Sequence, residues 1–336
     1  MKKKHTPTKA SDAIINMSTS LEDSLIPSKN NLFIEFGHYD DISRIINSKI
    51  FYPIFITGLS GNGKTFMVEQ SCAEQNRELF RVNITIETDE DDLLGGFRLV
   101  QDSTKWFDGP VIRAMKTGGI LLLDEVDLAS TKIMCLQPVL EGKGIFLKKI
   151  NQYVKPAPGF NVVATANTKG QGNETGKFVG TNLLNEAFLE RFPITFEQEY
   201  PQTDVEKKIL QKIFASGGLR PKEEKDFINL LVSWAGTNRQ SFMNGAATEV
   251  ISTRRLVHIA NAYIIFKEKE KIEEGFNAKH KALDLCLSRF DSITKSSLIT
   301  LYNSLDANMN NPNPKKDEAE PLAATVDEIE SLFGTN

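Results

Sequence analysis

Four residues at fixed spacing carry the first recognisable chemistry in this chain: Gly58, Gly63, Lys64 and Thr65, in the pattern GxxxxGK[ST]. They follow an apolar run, YPIFITG (52–58), and precede a helix-like segment, the setting a phosphate-binding loop requires. Backbone N–H groups must wrap the phosphates there, and glycine permits both the dihedrals and the close approach. The following helix turns its N-terminus toward the anion, Lys64 adds a cation, and the Thr65 hydroxyl is offered to Mg²⁺. The candidate cradle is therefore Gly58, Leu59, Ser60, Gly61, Asn62, Gly63, Lys64, Thr65 and Phe66.

A metal beside that phosphate needs a carboxylate at the end of another buried strand. GGILLLDEVDLA (118–129) supplies Asp124 directly after an apolar run, to hold Mg²⁺ partly through water. Glu125, next to it, can orient and deprotonate an attacking water, which favours hydrolysis over transfer to another acceptor. A solvated turn is the alternative for these acids. A third apolar run, FNVVATA (160–166), ends at Asn167, whose amide can bond both a lytic water and a γ-phosphate, or merely cap a turn. The glycines after it (Gly170, Gly172, Gly176 and Gly180) imitate a second phosphate loop, but 58–65 already meets that need.

These residues require a scaffold that brings strand ends together. Strand-like runs at 52–58, 79–85, 119–124, 160–166 and 192–198 alternate with helical segments between 31 and 200. Short continuous apolar runs in that alternation predict an α/β fold with a parallel sheet covered on both faces. From 201 to 306 the apolar spacing turns helical, predicting a smaller α-helical domain. Residues 1–30 are expected to be a flexible arm, and 307–336 a disordered acidic tail with a short hydrophobic end, DEIESLFG.

Composition narrows the class. The 336 residues are 40% hydrophobic and 25% charged with a net charge of −4, so no global basic field points to nucleic acid. Cys72, Cys135 and Cys286 form no CxxC pair, and His5, His38, His258 and His280 are dispersed, which speaks against a zinc site. No apolar run reaches the roughly 18 residues of a membrane span, and the basic start lacks the apolar core of a signal peptide. A cytoplasmic location is expected.

LLGGFRL (94–100), DGPVIRAM (108–115), GGILLLDEVDLAS (118–130) and VLEGKG (139–144), in that order, resemble the MoxR-like and dynein-related branch of the AAA+ ATPases. The spacing from ATANT to RF over 164–192 is closer still to CobS-like proteins, the ATPase subunits of aerobic cobaltochelatase, of which phages encode relatives of about this size. The resemblance covers roughly residues 36–260. It implies an AAA+ P-loop NTPase core, a parallel five-stranded sheet between helices, followed by a small helical lid. It also implies ATP and Mg²⁺ as ligands and a homo-oligomer, a hexameric ring. In family terms, 58–65 would be Walker A, Asp124 and Glu125 Walker B, and Asn167 sensor 1.

Arg191 would be the arginine finger that reaches a neighbouring subunit's γ-phosphate, with a surface salt bridge as its alternative. Arg254 would be sensor 2, with the adjacent Arg255 as the other choice. Adenine would lie near Phe36, Gly37, His38 and Tyr39. An insert at 97–110, with Trp106 and Phe107 near its tip or exit, and a hairpin at 142–156 bearing Lys148 and Lys149 would face a pore or partner, or pack between subunits. The loop after Asn167, with Phe178 exposed, would reach across a subunit boundary or into the pore. The function implied is an ATP-driven motor that remodels a protein partner. Two alternatives stay open. One is the ATPase subunit of a cobalt chelatase, with a partner bearing an integrin-like metal-binding domain. The other is a DNA-associated ATP switch, with a clamp-type partner for the tail.

Overall fold

The structure, a computed structural model, describes residues 25–170 and 181–309. Helix α1 (Tyr39–Ser48) leads to strand β1 (Ile54–Thr57), and the loop after it opens helix α2 (Lys64–Glu74) and strand β2 (Leu79–Asn83). A short α3 (Glu90–Leu94), closed by a capping box between Asp89 and Asp92, runs into the hairpin β3 (Gly95–Val100) and β4 (Ser103–Asp108). Then come α4 (Pro110–Thr117), β5 (Ile120–Asp124), two 3₁₀ turns and α5 (Gln137–Leu140). A second hairpin, β6 (Ile145–Leu147) and β7 (Gln152–Val154), precedes β8 (Asn161–Thr165), α6 (Glu186–Leu189) and β9 (Ile194–Glu197). Five further helices follow: α7 (Thr203–Ser216), α8 (Lys225–Met243), α9 (Thr253–Lys267), α10 (Ala278–Leu287) and α11 (Ser292–Met309).

All five expected strands enter one parallel sheet, in the order β2-β5-β8-β1-β9. Successive side chains point to opposite faces, and both faces are covered, so the runs read as continuously apolar. Phe55, Leu121, Leu123, Val162 and Ala164 pack into one core, while Ile54, Ile56, Leu122 and Val163 pack into the other. Because every strand runs the same way, the C-terminal ends of β1, β5 and β8 share one edge.

The helices after β9 bury a third cluster around Phe214, Phe227, Trp234 and Tyr263. The Trp234 indole N–H donates to the Leu298 carbonyl at 3.0 Å, fastening α8 to α11. Arg239 forks onto Glu206 at 2.8 and 2.9 Å and lies 4.1 Å from the Tyr200 ring, so the lid is anchored where the chain leaves the sheet.

Two local expectations change. Helix α11 continues to Met309 and so takes in the first three residues of the expected tail, with Leu298, Tyr302 and Leu305 packed against the lid core along its length. Its Ser and Thr interrupt the apolar spacing, so periodicity alone does not single it out. The end of the N-terminal arm is fastened to the core: Leu79 N–H donates to Leu25 O at 2.9 Å and Asn30 N–H to Gln70 Oε1 at 2.7 Å. In the 97–110 insert, Gln101 and Asp102 form the tip, and of the two expected places Trp106 and Phe107 take the exit, opposite Phe97 and Gly96. The second insert is a hairpin, as expected, with Phe146 opposite Tyr153; Lys149 at its end is ion-paired with Asp91. Phe178 and the 325–336 peptide lie outside the described residues.

Candidate functional site

The loop between β1 and α2 is shaped by what surrounds it. Gly58 has φ +140°, and a Cβ there would stand 2.1 Å from the Gln198 carbonyl oxygen, so only glycine fits. At Gly61 the lid closes directly on the loop: Arg254 N–H donates to Gly61 O at 3.2 Å, and a Cβ would stand 2.7 Å from Ser252 Oγ. Asn62 Nδ2 donates to Gln198 O and Tyr200 Oη to Ser60 O at 2.9 Å, tying the loop to the exit of β9. Lys64 Nζ donates to Gly58 O at 2.6 Å, Leu59 O at 3.1 Å and Asn167 Oδ1 at 3.3 Å. Burial pushes its pKa down to about 8, opposed by the charges of Asp127 and Asp124.

A cleft of about 300 Å³ opens between core and lid above this loop. Ser60 to Phe66 line it, together with Asp124, Glu125, Asn167 and Arg254, so four separate sequence segments converge on it. Gly58 and Leu59 do not. They line a second cleft of about 680 Å³ on the other side of Asn167, beside Tyr200 and Arg239. The apolar end of the first cleft is built by Leu32, Phe33, Ile34 and Phe36 with Ile209 and Val257 from the lid helices α7 and α9. Of the residues expected near adenine, Phe36 lines this end of the cleft; His38 turns instead to Glu197 O and the Phe196 ring, and Tyr39 is buried with its hydroxyl on Glu74. Phe66 joins this wall, its ring edge-on to Phe33 at 5.3 Å.

Asp124 is nearly buried and fully engaged. Its Oδ1 accepts from Thr65 Oγ1 at 2.8 Å and from the Thr165 hydroxyl, and its Oδ2 accepts from Arg81 at 2.6 Å. Hydroxyl and carboxylate thus sit side by side as hard oxygen donors. Among the described residues no group of three or more His, Cys, Asp or Glu is placed to hold a metal. Mg²⁺ does not need one, since it usually takes one or two carboxylates plus water and substrate phosphate. Thr65 and Asp124 fit Mg²⁺ in that manner.

Glu125 adopts a left-handed conformation, φ 58° and ψ 45°, rare for a residue with a side chain. Its strain, about 1–2 kcal/mol, is held in place as its N–H donates to Thr165 Oγ1 at 3.2 Å and its carbonyl accepts from Leu128 N–H at 3.0 Å. The sharp turn directs the chain away from the sheet immediately after Asp124 and leaves Glu125 on the cleft.

The two arginine assignments separate clearly. Arg254 faces the cleft, whereas Arg255 points away, donating to Cys286 O at 2.8 Å and lying 5.5 Å from the Phe290 ring. Arg191 is absent from its own chain's cleft. Its Nε and Nη2 donate to Glu141 Oε1 at 3.0 and 2.6 Å, and Nη1 to the Ala187 carbonyl. Lys143, and after it Arg191, holds the Glu141 carboxyl below its usual range by donating to it.

Sequence reasoning passed over Arg81, Thr165 and Asp127. Arg81 was legible only as a charge interrupting the apolar run 79–85, and Thr165 as a polar residue inside FNVVATA. Asp127 stood in DEVD without a stated role.

The parallel sheet, the phosphate loop and the helices after them are those of an AAA+ P-loop NTPase core. Residues 53–192 match the model of the AAA domain of the dynein-related subfamily, and the chain is similar to proteins of the MoxR- and CobS-like type. The aerobic cobaltochelatase subunit CobS of Sinorhizobium sp is 30% identical over 218 residues, covering 63% of this chain and 65% of CobS. An uncharacterized protein of Staphylococcus epidermidis is 34% identical over 170 residues, 47% of this chain and 60% of that protein. The chain therefore spans less than two thirds of these relatives' length. A mutant of RuvB from Thermotoga maritima superposes with a TM-score of 0.51 at 13% identity, covering 85% of each chain, a likeness of fold.

Proposed function

We propose that this chain is a Mg²⁺-ATP-dependent motor that works as a closed homo-oligomeric ring, a hexamer, and remodels a protein partner. The observation that supports this most is an asymmetry. Lys64, Thr65, Asp124, Glu125, Asn167 and Arg254 meet on one cleft, while Arg191 sits outside it on the surface beside Glu141. A hydrolytic site with a base and a sensor but no finger of its own calls for an arginine from a second copy.

In this reading adenine enters the apolar wall of Leu32, Phe33, Phe36, Ile209 and Val257, and the phosphates lie on the 60–65 backbone. Thr65 and Asp124 would hold Mg²⁺, which would supply neutralisation of phosphate charge during transfer. Lys64 exchanges its carbonyl partners for phosphate oxygens, Glu125 takes the proton of the attacking water, and Asn167 orients that water against the γ-phosphate. Arg254 carries the state of the nucleotide into α9 and so into the lid. Arg191 of the adjacent copy stabilises the charge of transfer, a task suited to a permanently charged, forked group.

Subunit complementation tests the ring. Glu125→Gln and Arg191→Ala chains are each expected to be inactive alone and to regain activity when mixed, because an intact base and an intact finger then meet at some interfaces. Full activity of a sedimenting monomer overturns it. Affinity purification of the Glu125→Gln chain with ATP is the route to the partner, which is placed here in the cytoplasm, of a phage's host if the chain is phage-encoded. A second reading, the ATPase subunit of a metal chelatase, is favoured by the likeness to CobS. It predicts ATP-dependent cobalt insertion once a tetrapyrrole-binding subunit and an integrin-like subunit are supplied, and no insertion with both present excludes it.

A further inference from the structure

Asp127 is wholly buried, three residues after the aspartate at the end of β5. A buried carboxylate is tolerated where donors converge on it, and here they converge on one oxygen. Oδ2 accepts from Asn167 N–H at 2.9 Å, Thr168 N–H at 3.1 Å and Thr168 Oγ1 at 3.3 Å. Oδ1 has no hydrogen-bond partner among the described residues. The same short turn grips a second piece of chain: Asn182 N–H donates to Asp127 O at 2.7 Å, and Asn182 Nδ2 to Leu128 O at 3.2 Å and Ala129 O at 3.1 Å. Gly170 and Leu184 are joined beside it by a 2.9 Å backbone bond.

We propose that Asp127 is the positioning residue of the hydrolytic site. Its carboxylate fixes the backbone that aims the Asn167 amide, and its main chain ties that backbone to the segment beginning at Asn182, six residues before Phe188 on the helix that leads to Arg191. The inference rests on the reading of Asn167 as the group that orients water and γ-phosphate. Residues 167 and 168 follow the last strand residue, Thr165, so no sheet ladder holds them. Without Asp127 two backbone N–H groups lose their acceptor, and the Asn167 side chain loses its fixed origin. Asn167 also receives a hydrogen bond from Lys64, so the chain of contacts runs from the phosphate loop through Asn167 to Asp127 and on to Asn182.

The test is a double-mutant cycle on the full chain, read as kcat and as nucleotide affinity separately. Asp127→Ala is expected to lower kcat by about 10²-fold, the scale of a misplaced reacting group, while the Kd of a fluorescent ATP analogue changes by less than about threefold. Asp127→Asn keeps an acceptor oxygen and is expected to restore most of kcat. If Asp127 acts through Asn167, adding Asp127→Ala to Asn167→Ala costs little more than Asn167→Ala alone. Independent, multiplying losses overturn the proposal, as does a loss confined to Kd. Should Asp127→Ala fail to fold, amide exchange in the unmodified chain decides: Asn167 and Thr168 are expected to exchange as slowly as β8, and loop-like exchange overturns the contact. A wild-type chain without ATPase activity would instead refute the hydrolytic reading, so the two failures are distinguishable.

Discussion

The edge of the sheet and the two hairpins solve opposite problems. At the edge, polar groups are buried or half-buried and have partners within the same chain: Lys64 on carbonyls, Asp124 on two hydroxyls and a guanidinium, and Asn167 with its backbone N–H on Asp127 and its side chain on Lys64. On the hairpins, large apolar side chains stand in solvent. Leu99 is 76% exposed, Phe97 50%, Tyr153 54% and Phe146 49%, the last two directly across from each other. Buried polar groups need fixed partners because low dielectric makes an unpaired one costly. Exposed apolar groups on the hairpins carry no such requirement, and a contiguous exposed apolar patch is a feature of interaction sites. In the proposed function one region binds nucleotide within a single chain, while the other, like Arg191, acts on a second molecule.

That contrast can be broken from either side. The largest effect is expected at the residue that belongs to neither region of its own chain. Arg191→Ala should reduce turnover of the assembled protein by about 10³-fold or more with nucleotide affinity unchanged, measured by steady-state ATPase and analogue titration on the same sample. An equal loss of affinity would place Arg191 in the cleft of its own chain. Glu125→Gln comes next: a loss of about 10³-fold in kcat is expected for a general base, with ATP retained through gel filtration. Normal hydrolysis by that variant would move the base elsewhere.

A smaller effect follows from Lys64. Burial lowers its pKa to about 8, so the free protein loses this cation as pH rises through that value. Phosphate binding needs the protonated form, and binding therefore takes up a proton above pH 8. Nucleotide affinity should be flat below pH 7 and fall by about tenfold between pH 8 and pH 9.5, as followed by analogue titration. The same lowered pKa makes this group's contribution to folding stability worse below about pH 8 and neutral only well above it, since the unfolded lysine holds its proton more tightly. The smallest basal effect belongs to the hairpin pair: Phe146→Ser with Tyr153→Ser should leave unstimulated ATPase within about twofold, since solvent-facing substitutions rarely disturb a distant site. The same pair should abolish partner-dependent stimulation. A large basal loss would show that these rings pack inside the protein.

The edge was also the region most legible in advance. Phosphate-loop glycines, the Asp124 and Glu125 pair and Asn167 are marked by local pattern, because each sits at a strand end whose apolar run is visible by itself. The hairpins were visible as inserts, but the places of Trp106 and Phe107 at the base of the first one depend on cross-strand register, which local spacing does not encode. The ion pair of Lys149 was not legible in advance because Asp91, its partner, is distant in sequence. Arg254 and Arg255 are neighbours with the same chemistry; only the rotation of α9 against the loop at Gly61 turns one inward and the other toward Cys286.

By itself the sequence determined the phosphate cradle, the acidic pair, the alternation of buried strands and helices, and hence an AAA+ core. Each of these follows from short-range rules of dihedral freedom, apolar periodicity and charge. Tertiary structure alone decided which apolar side chains wall the nucleotide cleft, that Arg81 and Thr165 share Asp124, and that Asp127 supports Asn167. Those are contacts between residues that sit tens of positions apart or more, and they exist only once parallel strands bring their ends to one edge and the lid closes over it.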